Sequence, residues 1–287
     1  MRMLVVFKKS FLETRGGDRR VLVALPAADR ARFLKADVEN RETLREVVAH
    51  LRSLGARVDV VHRGHLARRR SYDLVLSVGG DGTFLAAAGQ VVDTPLFGVN
   101  SDPTHSLGIW TCSDRHTFRQ RLADAIAGRL ETFRLRRLRI AINGEATPEL
   151  AFNDVLFASR NPAAMTKYRF SADARVEAQR SSGLWIATAA GSTAGIRSAG
   201  GRRMPLSSSK IQYAVREPYT WPARRYALTR GFADRIVIVP LVPDASLWID
   251  GARTRKDLAL GDRVEIRPGA PLTVFGLDLK RRVKLFP

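Results

Sequence analysis

An acidic residue, Asp81, lies between glycines in the run Gly79-Gly80-Asp81-Gly82-Thr83. Glycines let backbone N–H groups approach phosphate oxygens closely, because no Cβ atom stands in the way. A carboxylate repels phosphate, so it needs another role in such a loop. The two roles that suit it are binding Mg²⁺ and accepting a proton from an attacking hydroxyl group. The run therefore predicts chemistry at a phosphate group, with Asp81 as its reactive side chain.

The elements on either side of this loop must position it. Residues 74–78 are nearly all apolar, as expected of a strand buried on both faces of a parallel sheet. The residues from Thr83 onward predict a helix, whose positive amino end adds to the attraction for phosphate. Further strands are predicted at 3–7, 58–61 and 95–99, and further helices at 42–51 and 114–130. Strands and helices therefore alternate along this part of the chain. Residues 1–130 are therefore predicted to form a doubly wound α/β domain.

The pattern changes near Glu131, where short alternating segments begin, separated by Gly, Pro, Asn and Asp. These segments lie at 138–142, 149–157, 168–172, 236–239 and 264–266. The sequence therefore predicts a β-rich second domain over residues 131–275. Within it, periodicity alone does not assign a secondary structure to residues 197–225. A cleft between the two domains is the expected ligand site. The side chains expected in the core include those of Trp185, Trp221 and Trp248.

Composition excludes several classes of protein. The chain has 287 residues, and no apolar run approaches the roughly 20 residues that a membrane span requires. The first residues are typical of a strand rather than of a secretory signal, so we expect a cytoplasmic protein. The single cysteine, Cys112, cannot form an internal disulfide, and no Cys/His group has the spacing of a zinc site. The net charge of +20 favours polyanions such as nucleotides, polyphosphate or nucleic acid.

Three further segments accompany the glycine loop, and the four together lie between about residues 74 and 201. The four segments are Val78-Gly79-Gly80-Asp81-Gly82-Thr83-Phe84-Leu85, Phe97-Gly98-Val99-Asn100, Phe152-Asn153-Asp154-Val155, and 183–188 continuing through Gly191-Ser192-Thr193-Ala194 to Ser198-Ala199-Gly200-Gly201. Together they resemble the NAD kinase family, and they occur in the order expected of it. The resemblance implies a Rossmann-like amino-terminal domain, a β-rich, sandwich-like carboxyl-terminal domain and a homo-oligomer. It also allows the last segment, 276–287, to return to the first domain.

The resemblance also assigns roles to residues. It implies that NAD is phosphorylated at the 2′-hydroxyl of its adenosine ribose, that Asp81 accepts the hydroxyl proton, and that Gly79, Gly80, Gly82 and Thr83 shape the phosphate site. The donor would be ATP or polyphosphate, with Mg²⁺ or another divalent cation bound through the donor phosphates. The implied NAD-binding residues are Asn100, Asn153 and Asp154 at the ribose hydroxyls, Arg180 and Ser182 at the nicotinamide half, and Thr193, Ala194 and Ser198 at the adenine half.

Some residues suggest a branch of the family or depart from its pattern. The runs Asn100-Ser101-Asp102-Pro103 and Ser181-Ser182-Gly183 are more similar to the mitochondrial type than to the common bacterial type, which has Asp at the position of Ser182. Gly195 stands where many members have an aromatic residue that covers the adenine, and Ala252 stands where a polar residue is usual. These differences put nucleotide selectivity, rather than catalysis, in question.

Two other interpretations stay open at this point. Lipid kinases also resemble this pattern, but their Asn-Glu pair follows the loop shortly, whereas Asn153-Asp154 comes roughly seventy residues after it. A catalytically silent nucleotide-sensing or nucleic-acid-binding module would fit the net charge of +20. Against that module, no helix-turn-helix, RNP-like or zinc-finger pattern occurs, and Asp81 is intact. We therefore expect neither a specific nucleic acid nor a membrane as partner. The phosphate donor and the preference between NAD and NADH stay open.

Overall fold

The computed structural model describes four stretches of the chain, namely residues 1–14, 19–66, 71–221 and 225–286. The expectations for 1–130, 197–225 and 276–287 fall partly on residues outside these stretches. The helices within them are α1 Phe11–Thr14, α2 Arg19–Ala24, α3 Ala27–Ser53, α4 Asp81–Gln90, α5 Phe118–Ile126, α6 Gly195–Ser198 and α7 Leu279–Leu285.

The strands are numbered in chain order. They are β1 Arg2–Phe7, β2 Arg57–His62, β3 Leu74–Val78, β4 Leu96–Asn100, β5 Ser113–Asp114, β6 Thr132–Leu135, β7 Leu138–Ile142, β8 Glu145–Ala151, β9 Asp154–Ser159, β10 Thr166–Ala172, β11 Arg175–Ala187, β12 Ile211–Pro218, β13 Arg230–Ala233, β14 Ile236–Pro240, β15 Ala245–Ile249, β16 Thr254–Leu258, β17 Val264–Pro268 and β18 Leu272–Phe275.

The first sheet is mainly parallel and has the order β2-β1-β3-β4-β18-β6, with the short β5 beside β4. Both β3 and β4 are buried along their whole length, which explains their continuous apolar sequence. One face of the sheet packs against Leu51 of α3 and Phe118 of α5. The other face packs against Phe84 of α4. The sheet therefore has helices on both faces and presents the glycine loop at its carboxyl edge.

The chain returns to this first sheet near its end. Strand β18 pairs in parallel with β4, where Val274 lies opposite Leu96, and antiparallel with β6. Helix α7 follows β18, and its Arg282 is buried against the residues of the glycine-loop region described below. Residues from both ends of the sequence thus build the first sheet.

The second sheet is antiparallel and has the order β16-β15-β9-β11-β10-β14-β17-β7-β8, with β12 and β13 extending from β11. Its apolar face encloses a large core that includes Ile140, Phe157, Tyr168, Phe170, Ile186, Tyr213 and Leu247. The predicted architecture, an α/β half followed by a β-rich half, is confirmed. Among the described residues, no helix combines the length and the apolar character needed to cross a membrane.

The two halves meet at an aromatic contact. Phe152, just before β9 of the second sheet, packs against Phe84 of α4 with a ring-centroid distance of 5.5 Å. It also packs edge-on against Trp110 at 4.9 Å. These buried rings fix α4, and with it the glycine loop, relative to the residues that begin β9.

Candidate active site

The glycine loop joins β3 to α4, which begins at Asp81. A Cβ atom on Gly79 would collide with the side chain of Thr83, and one on Gly80 would collide with Ser106 Oγ. Gly79 is therefore favoured by close packing within the loop, and Gly80 by close packing against Ser106 of the segment after β4. Gly82 is exposed, so the backbone there stays accessible to a phosphate group.

Asp81 is half-buried, and its carboxylate is held by a backbone amide. The N–H group of Trp110 donates a hydrogen bond to Asp81 Oδ1 at 2.9 Å. Trp110 is itself fixed, because its ring packs against Phe84 and Phe152 and lies 4.8 Å from the guanidinium carbon of Arg282. The Asp81 carboxylate therefore has one defined orientation at the amino end of α4, as a proton acceptor requires.

Asn153 and Asp154 lie at the start of β9, and the carboxylate of Asp250 holds their backbone. The N–H groups of Phe152, Asn153 and Asp154 donate to the Asp250 oxygens at 2.6, 2.7 and 3.1 Å. The N–H group of Thr188 donates to the Asn153 carbonyl at 2.9 Å. Among the described residues, Asn153 Oδ1 is buried without a hydrogen-bond partner. Such an atom suits an acceptor for a ligand hydroxyl.

The carboxyl groups of Asp154 and Asp250 both have raised pKa values. Burial is the main cause for each group, because it disfavours the charged form. The nearby charge of Asp250 also raises the pKa of Asp154, which reaches about 7, although a hydrogen bond from the Gly195 N–H opposes this shift. Three backbone N–H groups limit the rise for Asp250. The charge of Asp250 therefore favours the protonated form of Asp154.

Replacing Asp154 by Asn is expected to remove a pH-dependent loss of stability. The folded-state pKa of Asp154, about 7, lies above the value of about 3.9 for an unfolded Asp. Between these values the folded protein binds a proton that the unfolded chain has lost, so the free energy of unfolding falls as pH rises. The expected fall is roughly 2–4 kcal/mol.

Urea unfolding of the wild type and of Asp154→Asn, from about pH 4.5 to about pH 7.5, measures this difference. The exposed Asp93→Asn is the matched control and should keep the wild-type pH slope. Equal slopes in wild type and Asp154→Asn would show that Asp154 does not keep its proton in the folded state.

A cavity of about 720 Å³ is lined by Trp185, Gly195 and Ser198, among other residues. Gly195 connects this cavity to Asp154 through its N–H group. A Cβ atom on Gly195 would come within 2.8 Å of the Trp185 ring, so the glycine lets the indole lie against this turn. Trp185 is half-buried and contributes to the cavity wall, where the sequence predicted a core side chain.

The turn before this cavity carries two more of the predicted residues. Thr193 ends the 3₁₀ turn Gly191–Thr193, and Ala194 connects it to α6. A Cβ atom on Gly191 would overlap the carbonyl group of Asn153, so the turn packs directly on the Asn153 backbone. The structure thus brings Thr193, Ala194 and Ser198 into one region with the Asn153-Asp154 pair.

Asn100 is buried at the end of β4, and its amide is used within its own loop. Its Nδ2 donates to the Ser106 carbonyl and its Oδ1 accepts from the Asp102 N–H, both at 3.1 Å. These bonds shape the loop that leads to Trp110 and so support Asp81 indirectly. The predicted contact of Asn100 with NAD stays a prediction.

Arg180 and Ser182 lie on β11, before the part of the strand that carries Trp185. The guanidinium carbon of Arg180 lies 4.6 Å from the centroid of the Tyr219 ring. Within the described stretches, no hydrogen bond joins Arg180 or Ser182 to Asp81 or to the Asn153-Asp154 pair. Their predicted place at the nicotinamide half therefore stays a prediction.

Two residues that position the site were missed by sequence reasoning. Trp110 acts through its backbone amide, so its side-chain type carried no signal for the contact with Asp81. Asp250 belongs to an Asp-Gly pair, which indicates a turn. No pattern in the sequence, however, places that turn beneath Asn153 and Asp154.

No protein-family model matches the chain. It is 36% identical to the NADH kinase of Arabidopsis thaliana over 233 residues, which are 72% of this chain and 73% of that protein. It is 33% identical to a probable NADH kinase of Oryza sativa subsp. japonica over 225 residues, 70% of this chain and 69% of that protein.

Solved structures have the same fold. The crystal structure of an NAD kinase from Archaeoglobus fulgidus in complex with ATP matches with a TM-score of 0.68 at 23% identity, over 100% of this chain and 97% of that chain. Yeast NADH kinase complexed with NADH matches with a TM-score of 0.74 at 16% identity, over 99% and 86% of the two chains. The identity to the plant relatives and the share of the chain that it covers decide the assignment: the chain belongs to the NAD kinase family.

Proposed function

We propose that this chain transfers the terminal phosphoryl group of ATP or polyphosphate to the 2′-hydroxyl of the adenosine ribose in NAD, and also in NADH. The reaction forms a bond between the ribose oxygen and phosphorus and breaks the bond from that phosphorus to the donor's bridging oxygen. The hydroxyl proton passes to the Asp81 carboxylate, and the shortened donor leaves with the electron pair of the broken bond.

The observation that supports this proposal most directly is the setting of Asp81. Its carboxylate is oriented by the Trp110 N–H at the exposed amino end of α4. The contact of Trp110 and Phe84 with Phe152 joins this end of the helix to the Asn153-Asp154 pair. A proton acceptor beside a phosphate site and next to acceptors for ribose hydroxyls is the arrangement that phosphorylation of a nucleotide ribose needs.

The second half of the chain is proposed to bind the NAD substrate. Asn153 Oδ1, which has no hydrogen-bond partner among the described residues, and the carboxyl group of Asp154 are suited to accept hydrogen bonds from the vicinal ribose hydroxyls. The cavity beside Trp185 and Ser198 then takes the adenine half of the substrate. The indole of Trp185 offers an aromatic face there, although Gly195 replaces the aromatic residue of many relatives.

The residues of the loop fit a cation that is held by the donor. Mg²⁺ is typically bound by one or two carboxylates together with substrate phosphates, so a protein cage is not required. Asp81 offers a carboxylate with one oxygen committed to the Trp110 N–H. When bound, a divalent cation would neutralise charge on the transferred phosphoryl group.

The comparisons favour neither of the other interpretations, a lipid kinase or a catalytically silent module, because the matched relatives are NAD and NADH kinases. The domain limits near residues 130 and 275, the homo-oligomer and the cytoplasmic location stay predictions.

The direct test pairs NAD and NADH in turn with ATP and with polyphosphate, in the presence of Mg²⁺. The product, NADP or NADPH, is measured with a dehydrogenase specific for the phosphorylated cofactor. We expect product from at least one donor with both nucleotides. No product in any of the four combinations, from correctly folded protein, would refute the proposed function.

Ser182→Asp is expected to shift the nucleotide preference toward NAD. The oxidised nicotinamide ring carries a positive charge and the reduced ring is neutral, so an added carboxylate should discriminate between them. At about 5 Å and an effective dielectric near 20, the charge pair amounts to roughly 3 kcal/mol, of which desolvation leaves about a third. That remainder corresponds to a roughly fivefold change in the ratio of kcat/KM values.

The measurement is kcat/KM for NAD and NADH in wild type, Ser182→Asp and the neutral control Ser182→Asn. Wild type and the Asn variant should use both nucleotides comparably. If the Asp and Asn variants have the same NAD:NADH ratio, residue 182 does not sense the charge of the nicotinamide ring.

A further inference from the structure

A second cavity, of about 360 Å³, lies beside the glycine loop and is lined by Gly82 of that loop and by Asp250, among other residues. One wall is a single face of α4, formed by Gly82, Leu85, Ala86 and Gly89. The turn between β15 and β16 and Arg63 after β2 also line the cavity. The exposed Gly82 directly follows Asp81, so the cavity opens onto the amino end of α4.

Two arginines, Arg63 and Arg253, face this cavity. Arg63 is half-buried, with Nη1 3.4 Å from Thr83 Oγ1. Its Nε is buried and has no hydrogen-bond partner in the part of the chain that the structure describes. Burial and then the charge of Arg253 lower the pKa of Arg63 to about 10. Two like charges at one cavity are unfavourable without a counter-ion, so this arrangement is suited to an anion.

The acidic residues at the same cavity do not neutralise the arginines. Asp250 accepts hydrogen bonds from the backbone N–H groups of residues 152–154. Glu149 is paired with Lys256, with 2.7 Å between Oε1 and Nζ. Both carboxylates are thus engaged elsewhere, and the charge of the two guanidinium groups remains available to a ligand.

The size and the chemistry of the cavity indicate what this anion is. Guanidinium groups bind phosphate oxygens in bidentate fashion, and the amino end of α4 favours the same charge. A space of about 360 Å³ exceeds what one phosphate group needs and suits a chain of several. The lining face of α4 has no aromatic side chain for a nucleobase to stack on, in contrast to the cavity beside Trp185.

We propose that Arg63 and Arg253 hold the polyphosphate chain of the phosphate donor in this cavity, with its terminal phosphoryl group directed toward Gly82 and Asp81. This inference rests on the proposed function and deepens it, because it gives the donor a site separate from that of the nucleotide substrate. It also explains how ATP and inorganic polyphosphate could serve the same site, since both present the phosphate chain that the arginines recognise.

The test measures binding and kinetics in Arg63→Met, Arg253→Met and the double variant. Arg255→Met is the matched control, because Arg255 lies on the same hairpin and pairs with Asp257, with 3.0 Å between Nε and Oδ1. Calorimetry with inorganic tripolyphosphate, without NAD, gives the affinity of the cavity. Steady-state assays then give KM for ATP and for NAD separately, and thermal unfolding shows whether each variant is folded.

Each single variant should weaken tripolyphosphate binding by roughly tenfold and raise KM for ATP by a similar factor, because a hydrogen bond to a charged group is typically worth that much. KM for NAD should stay within about twofold, and the control should match wild type. Comparing ATP with tripolyphosphate shows whether the nucleoside adds affinity beyond the phosphate chain.

Unchanged tripolyphosphate affinity and unchanged KM for ATP in the double variant would overturn the inference, as would an equal loss in Arg255→Met. Arg253 is exposed on its turn, so Arg253→Met gives a valid answer even if Arg63→Met proves unstable. Arginine-dependent binding of tripolyphosphate by a protein that makes no NADP(H) would support the anion site and refute the proposed function.

Discussion

Asp81→Asn is expected to lower kcat by roughly 10²–10⁴-fold, because positioned proton acceptors typically contribute that much. The asparagine side chain has the same shape, and its Oδ1 can still accept the Trp110 N–H that holds Asp81 at 2.9 Å. What is lost is the negative charge and, with it, the capacity to take the hydroxyl proton. NAD affinity should therefore stay close to that of the wild type.

Single-turnover and steady-state rates, together with calorimetry for NAD, separate this loss from a loss of binding. Asp93→Asn removes the same charge from an exposed position beyond the carboxyl end of α4 and should leave kcat unchanged. Near wild-type turnover by a folded Asp81→Asn protein would show that another group accepts the proton.

Arg137→Met is expected to lower the free energy of unfolding by roughly 3–5 kcal/mol. Arg137 is fully buried between β6 and β7. It donates hydrogen bonds to the carbonyl groups of Ala88, Val91 and Val92, which terminate α4, and to those of Ala270 and Pro271 before β18. Methionine would fill much of the space but would leave these carbonyl groups without their donor.

Typical proteins have only about 5–15 kcal/mol of stability, so the loss should be evident in urea unfolding followed by circular dichroism and tryptophan fluorescence. The neighbouring Arg136 is exposed, and Arg136→Met should change stability by less than about 0.5 kcal/mol. If Arg137→Met and Arg136→Met lowered the free energy of unfolding by similar amounts, the buried hydrogen bonds of Arg137 would not be what stabilises the fold.

The elements that position the loop were predictable where burial dictates residue type. Strand β3 is buried along its whole length, so its sequence is nearly all apolar. Close packing after the strand favours glycine there, and the two features together make the strand and its loop recognisable in the sequence. The helix predicted over 114–130 is wrong at both ends, because the structure has β5 at Ser113–Asp114 and α5 at Phe118–Ile126. Ser113, which directly precedes the predicted helix, lies in β5, and Asp114 Oδ1 accepts hydrogen bonds from the N–H groups of His116 and Thr117 before α5 begins.

Contacts between distant segments could not be predicted in the same way. Arg63 and Arg137 are two of 48 basic residues, and no local pattern separates the buried ones from those on the surface. Trp221 was expected in the core but is 73% exposed. Hydrophobicity identifies residues that can be buried, and only the tertiary structure decides which of them are.

The return of the chain to its first sheet has a consequence for synthesis on the ribosome. A nascent chain that ends before residue 272 lacks β18, which lies between β4 and β6 in the sheet. It also lacks Arg282, whose guanidinium group covers the Trp110 ring beside Asp81 and donates to the carbonyl groups of Ala189 and Ala190. The glycine loop is therefore synthesised early, whereas the residues that complete its surroundings are synthesised late. We expect the region around Asp81 to reach its final packing only after residues 272–286 have left the exit tunnel.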